Sequence, residues 1–231
     1  MSRRTAVEAL AEATGSVNGQ RDVHDTLAQL MNDCHDLLPA AGAGVLVASR
    51  PGVLDLLAAT SHHTAQLELF QLQRETGPCP ECIATGTAVT VIGAAQIRAR
   101  WGTVGDAIVR AGFDAVHAFP IRWNDTTLGA LNVFGSSPES DHPDTTLGQA
   151  FANLIGMLLV RRLDLDTDQI SSRLRDVLQG RSVIEQAKGL LAYQRSIPAD
   201  VAYEQLQQLA AERRQTLSTV AAGLIHDAQI R

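Results

Sequence analysis

The sequence predicts an α+β chain in three parts: a mixed α/β domain, a linking helix and a small helical bundle. Three observations predict it. Short β-rich apolar runs at 43–49, 87–92, 114–123 and 127–136 interleave with segments of helical spacing, so strands and helices share the front of the chain. From Thr145 almost everything reads as helix. The charge also divides: residues 171–231 hold eight basic and six acidic side chains, while the whole chain carries a formal net charge of −6.

The elements follow in order. Residues 23–40 place Val23, Leu27, Leu30, Met31, Cys34, Leu37 and Leu38 at helical spacing, and Pro39 marks the end. The run 43–49, the turn signal Arg50-Pro51-Gly52 and the run after it read as a hairpin. Residues 63–76 read as a helix with Leu67 and Phe70, broken by Gly77-Pro78. A short helix over 80–86 ends on Gly86, and 87–92 is a strand. The spacing of Val104, Ile108 and Val109 predicts one helix over 101–113, ending near Gly112. Two strands, 114–123 and 127–136, flank the polar turn Asn124-Asp125, and 136–144 is a loop.

In the helical part, Leu147, Phe151, Leu154 and Leu158 are spaced by four, three and four. A second phase then runs through Leu163, Thr167, Ile170, Leu174 and Val177. That is heptad spacing with a shift between phases, the pattern of a helix that pairs with its copy. The other reading is a helix packed on its own domain. The bundle itself is three helices: one to about Gln194, a second over 200–214 entered by Pro198 with Asp200 as a cap candidate, and a third over 216–228. Val201, Leu206 and Leu209, then Leu217, Val220, Ala221, Leu224 and Ile225, face inward.

Composition narrows the function. The chain has 231 residues, 45% hydrophobic and 19% charged, an ordinary globular balance. A net charge of −6 excludes a uniformly basic nucleic-acid binder but not a local basic face. Three cysteines are too few for a disulfide scaffold and fit a reducing compartment. No apolar run reaches membrane length and no secretory leader is visible, so a soluble cytoplasmic protein is expected.

Few residues suggest chemistry. Cys79-Pro80-Glu81-Cys82 is a lone CxxC: half a zinc site, a redox dithiol, or a buried turn, of which the buried turn is preferred. His62-His63 sits at an expected strand end, where neighbours point apart. His117 alternates with Val116 and Ala118 and is a pocket-lining candidate. There is no G-x-S-x-G, P-loop, H-E-x-x-H or G-x-G-x-x-G, so no enzyme, cofactor or metal site is expected.

The basic residues of the bundle are ordered instead. Arg181, Lys188 and Arg195 are seven apart, about 10 Å per step along a helix, on one stripe that continues from Leu174. Lys188 is the only lysine in the chain. Gly189 beside it is expected to let another helix approach closely, at a propensity cost of up to about 1 kcal/mol. Arg213-Arg214 ends the second helix, and the start of the third offers free N–H groups to a phosphate.

These residues resemble a known family. Residues 171–226 resemble an ANTAR domain, on Arg181, Ile184, the run Ala187-Lys188-Gly189-Leu190-Leu191, Ala202, Leu206, Leu217-Ser218 and Val220-Ala221. Ala192 and Gln215 depart from the methionine and asparagine common there. Residues 20–162 resemble a GAF sensor domain of the actinobacterial kind, on GPCPECIATGTAVTV, RWGTVGDAIVRAGFDAVHAFPIRW and TLGALNVFGSS. Cys79 follows its Gly-Pro-Cys pattern, Cys82 stands where alanine is usual, and the Asn-Lys start of the cyclic-nucleotide signature is absent.

The resemblance implies a GAF–ANTAR regulator. Its fold would be a GAF-like antiparallel sheet flanked by helices, joined by a long coiled-coil helix to a C-terminal three-helix ANTAR bundle. Its parts would be an N-terminal tail (1–19), the GAF sensor (20–162), and the linking helix with the ANTAR domain (163–231). Such proteins bind paired stem-loops in nascent RNA leaders as homodimers and prevent terminator formation. Arg181, Lys188 and Arg195 are the first RNA-binding candidates, followed by Gln186, Gln194, Arg214 and Ser218. Phe70, Cys82, Trp101, His117 and Phe119 are candidates to line a GAF pocket for an unidentified small molecule. No phosphoacceptor pattern of a receiver domain is present, so control would come from the GAF domain. The competing readings are a DNA-binding regulator, and a small-molecule or thiol sensor that signals through protein contacts.

Overall fold

The computed structural model describes residues 5–18, 22–38, 40–50, 52–136, 145–160 and 167–229. Pro39, Pro51, Leu163, the side chain of Thr167 and the loop over 137–144 lie outside them. Helix α1 (Ala6–Asn18) occupies the segment set apart as a tail, with Ala9 and Ala13 buried. Helix α2 (Val23–Leu37) follows, capped by the Asp22 carboxylate on the His24 N–H. The hairpin β1 (Gly42–Arg50) and β2 (Val53–Ala59) leads to α3 (His62–Arg74) and α4 (Pro78–Thr85). His62 and His63 therefore open a helix rather than end a strand. Gly86, left-handed at φ 63, ends α4 before β3 (Val89–Ile92).

The expected single helix over 101–113 is two helices, α5 (Ala94–Trp101) and α6 (Thr103–Arg110). Gly102 between them has φ +52 and breaks the spiral. Periodicity saw only the strongly amphipathic second half. Strands β4 (Ala115–Trp123) and β5 (Thr126–Gly135) turn at Asn124, itself left-handed. The helices α7 (Thr145–Val160), α8 (Thr167–Arg195), α9 (Ala199–Arg213) and α10 (Leu217–Gln229) complete the described chain.

The five strands form one antiparallel sheet in the order β2-β1-β5-β4-β3. Side chains alternate between its faces. Val45, Val47, Phe119, Ile121, Leu131 and Val133 pack under α1, α2, α7 and the first half of α8. Leu46, Val116, Ala118, Ala130 and Phe134 pack under α3 to α6. A third core lies in the C-terminal bundle, between α8, α9 and α10.

The heptad stripe finds its cover inside the chain. Leu147, Phe151, Leu154 and Leu158 of α7 are buried on the sheet, and so are Ile170, Leu174 and Val177 of α8. Each such leucine contributes roughly 1.5–3 kcal/mol by leaving water. In this conformation the residues expected to form an intermolecular seam face the chain's own sheet. The pattern was right about an apolar face; the covering surface is intramolecular.

Candidate nucleic-acid interface

Helix α8 has 29 residues, about 43 Å, and serves two cores in succession. Ile170, Leu174 and Val177 belong to the sheet core, while Ile184, Ala187 and Leu191 belong to the bundle. There they meet Ala202, Leu206 and Ala210 of α9 and Leu217, Val220 and Ala221 of α10. Arg214 takes a left-handed conformation at φ 52 and ends α9, and Thr216 Oγ1 accepts the Thr219 N–H at 3.1 Å to begin α10.

Arg181 and Lys188 interrupt this buried seam, at alternating steps of four and three from Val177, Ile184 and Leu191. They are therefore recessed rather than fully solvated. Arg181 is half-buried and its Nη1 donates to the Leu56 carbonyl of β2. Burial pulls the Arg181 pKa down, while Glu185 and Asp55 pull it up. Lys188 is 19% exposed, with Nζ 2.5 Å from Glu185 Oε2. Arg195 stands in solvent and donates to Gln205 Oε1 at 2.6 Å. Gln186, Gln194 and Arg214 are exposed, and Gln186 Nε2 lies 3.4 Å from Ser182 Oγ. Ser218 is half-buried and donates to Asp22 Oδ2 at 2.7 Å. The seven candidates thus divide. Lys188 and Arg195 are engaged within the bundle, while Arg181 and Ser218 are held by the sheet domain.

Gly189 does not pack as expected. A Cβ there would meet nothing within 4 Å, so no described helix packs closely on it. It lies on the outer face of α8 with Gln186 and Tyr193, and Tyr193 is 86% exposed. Tyr193, Asp22 and Asp25 are the residues that sequence reasoning passed over. Tyr193 carried a weak signal, an aromatic beside Gln194 and Arg195. The two aspartates stand at the start of α2, where such acids are common, and nothing in the sequence points to a partner for them.

The five pocket candidates do not converge. Phe119 packs with the α2 and α7 side, and His117, paired in register with Val133, shares that face. His117 Nδ1 is 3.2 Å from Thr90 Oγ1. Cys82 and Trp101 lie on the opposite face, with Phe70 against the same core. A cavity of about 570 Å³ opens instead where the β1–β2 hairpin, α4 and the start of α8 meet, lined by Leu54, Ile83, Ile170 and Leu174 among others. None of the five lines it.

Cys79 and Cys82 are buried, and their thiols face the Ala130 and Ala118 carbonyls at 3.7 and 3.6 Å. Burial pushes the Cys82 thiol up to about 12 and raises Cys79 well above its usual range, with Glu68 adding to the latter. Among the described residues no group of three His, Cys, Asp or Glu could hold a metal ion. No described helix is long and apolar enough to cross a membrane.

The geometry defines a two-module chain, a helix-covered sheet domain tied by one long helix to a bundle with recessed cations. The chain belongs to the GAF domain family: the GAF domain model matches residues 22–159, and the ANTAR domain model matches residues 172–225. Among solved structures, the GAF domain of an Acinetobacter phosphoenolpyruvate-protein phosphotransferase is 13% identical, with a TM-score of 0.51 over 66% of this chain and 90% of that one. The A. Aeolicus nlh2 GAF domain in an inactive state is 14% identical, with a TM-score of 0.50 over 68% of this chain and 97% of that one. At such identities the likeness is one of fold. No curated protein sequence matches the chain significantly.

Proposed function

We propose that the chain is a non-enzymatic, cytoplasmic transcription antitermination regulator of the actinobacterial GAF–ANTAR type. Its bundle binds paired stem-loops in nascent RNA leaders, and its GAF domain senses a small molecule and controls that binding. The observation that carries the reading is the ANTAR match over 172–225 falling on helices that expose Arg195 and Arg214 beside the recessed, Glu185-paired Lys188. RNA loops are read through splayed bases and phosphates, which needs such side chains on a surface rather than a deep pocket. The exposed ring of Tyr193 suits stacking on an unpaired base. A homodimer would hold two hairpins together and gain avidity from effective concentration. It must use a surface other than the α8 stripe, or form after α8 has left the sheet, because Ile170, Leu174 and Val177 are already buried.

The alternatives draw less support. A DNA reader needs a polar recognition helix, and α10 contains no Arg or Lys. A thiol sensor needs an accessible thiolate, and all three cysteines are buried.

The test is the affinity of Lys188→Ala for a dual-hairpin RNA beside that of the unaltered protein. The variant is expected to bind several-fold more weakly, with unchanged circular dichroism and a smaller dependence on salt, as when one phosphate contact is lost. Equal affinity would remove Lys188 from the interface. Duplex DNA competing as well as RNA at matched salt would favour the DNA reading.

A further inference from the structure

We propose that the N-terminal end of α2 is an acidic clamp that occupies the RNA-binding end of α10 and holds the interface closed. This rests on the RNA-binding reading of the bundle and names how that site is regulated.

The contacts come from three directions. Asp22 divides its carboxylate: Oδ1 caps α2 through the His24 N–H at 2.7 Å, and Oδ2 accepts the Ser218 hydroxyl at 2.7 Å. One turn on, Asp25 Oδ1 accepts the backbone N–H of Leu217 at 3.3 Å. That N–H belongs to the first turn of α10, where it has no partner within the helix. On α8, the ring of His24 packs over Gly180, where an added Cβ would stand 2.3 Å from Nε2 and the ring would have to turn aside. One residue further, Arg181 is drawn to the Leu56 carbonyl of β2.

The chemistry of these contacts is that of a bound phosphate. Free N–H groups and a hydroxyl at a helix start, with the positive end of the helix dipole behind them, are what an anion seeks. Two carboxylates of the chain's own sheet domain fill that role. An RNA phosphate would compete for the same donors and would meet both negative charges at close range, with little solvent to screen them. Arg181 and Ser218 are withdrawn by the same docking, whereas Lys188 and Arg195 stay with the bundle. The chain therefore has a closed state, with α2 on α10, and an open state in which RNA replaces the carboxylates. Anything that binds the sheet domain better in one state shifts the balance.

The test uses the full chain and a dual-hairpin RNA. Asp22→Asn with Asp25→Asn removes both charges and keeps the α2 cap, since asparagine caps as well as aspartate. Asp36→Asn with Asp125→Asn, at two exposed sites, one in the last turn of α2 and one in the β4–β5 turn, changes the net charge equally and serves as the control. The first pair is expected to bind RNA about tenfold more tightly than the unaltered protein, the factor by which a closed state populated to roughly 90% weakens apparent affinity. Its Leu217 and Ser218 amides should also exchange hydrogen faster. The control should change affinity much less. Equal gains from the two pairs, or no gain from the first, overturn the clamp while leaving RNA binding intact. If neither the unaltered protein nor the first pair binds RNA, with both folded by circular dichroism, the RNA reading fails and the clamp with it.

Discussion

Glu68 gives a sharp prediction about pH. Its carboxyl is fully buried in α3, under the sheet. Asn132 Nδ2 of β5 donates to both of its oxygens at 2.9 Å, and Gln71 Nε2 donates to Oε2 at 2.9 Å. Gly44 makes room for it, since a Cβ there would lie 2.4 Å from Glu68 Oε1. Burial raises the Glu68 pKa to about 8, against the opposing hydrogen bond from Asn132. The amide of Asn132 turns its Nδ2 toward Glu68, and its Oδ1 is buried with no hydrogen-bond partner among the described residues.

The sign follows from proton counting. In the unfolded chain Glu68 ionises near its ordinary value of 4.5; in the folded chain it keeps its proton to about 8. Between those values the folded state binds more protons, so stability falls as pH rises, by about 1.4 kcal/mol per pH unit at most. The whole loss is on the order of 5 kcal/mol, large against a typical 5–15 kcal/mol. Both tryptophans, Trp101 and Trp123, lie in the GAF domain, so their fluorescence during urea unfolding reports that domain. Glu68→Gln keeps the shape and stays neutral. The variant is expected to track the unaltered protein near about pH 5 and to exceed it by several kcal/mol near about pH 8.5. Parallel stability curves across that range would refute the argument that Glu68 is buried neutral.

Two further predictions concern packing and thiols. In Gly105→Ala the added Cβ would stand 2.2 Å from the Ile97 carbonyl and 2.9 Å from Arg98 Cα, so α5 and α6 must part; a loss of about 1–3 kcal/mol is expected in the tryptophan-monitored transition, and an unchanged midpoint would contradict the close approach. Cys34 and Cys82 are pushed up to about 12 by burial, so a colourless disulfide reagent near about pH 8 should label none of the three thiols until denaturant is added; rapid labelling of one in the native protein would revive the redox reading.

Much of this molecule was written locally. The hairpin around Gly52, the strands around Asn124 and the stop at Gly86 follow from turn chemistry and side-chain period, which act over a few residues. So do the bundle core of Ile184, Leu191, Leu206 and Val220 and the order of its cations along α8. The break at Gly102 was missed because a glycine between two helical patterns does not announce which sign of φ it will take.

The tertiary structure decided what each pattern faces. Periodicity marked Ile170, Leu174 and Val177 as apolar but could not say whether a second chain or the chain's own sheet would cover them. Strand alternation separated His117 and Phe119 from Cys82 and Trp101, although all had looked like pocket residues. The bond from Ser218 to Asp22 joins residues 196 positions apart, and no local rule foresees it. A hydrophobic stripe or a helix-start acid states only what it needs: cover, or a donor. Which surface supplies it is a property of the folded whole, because that partner is brought near only by every other contact in the chain.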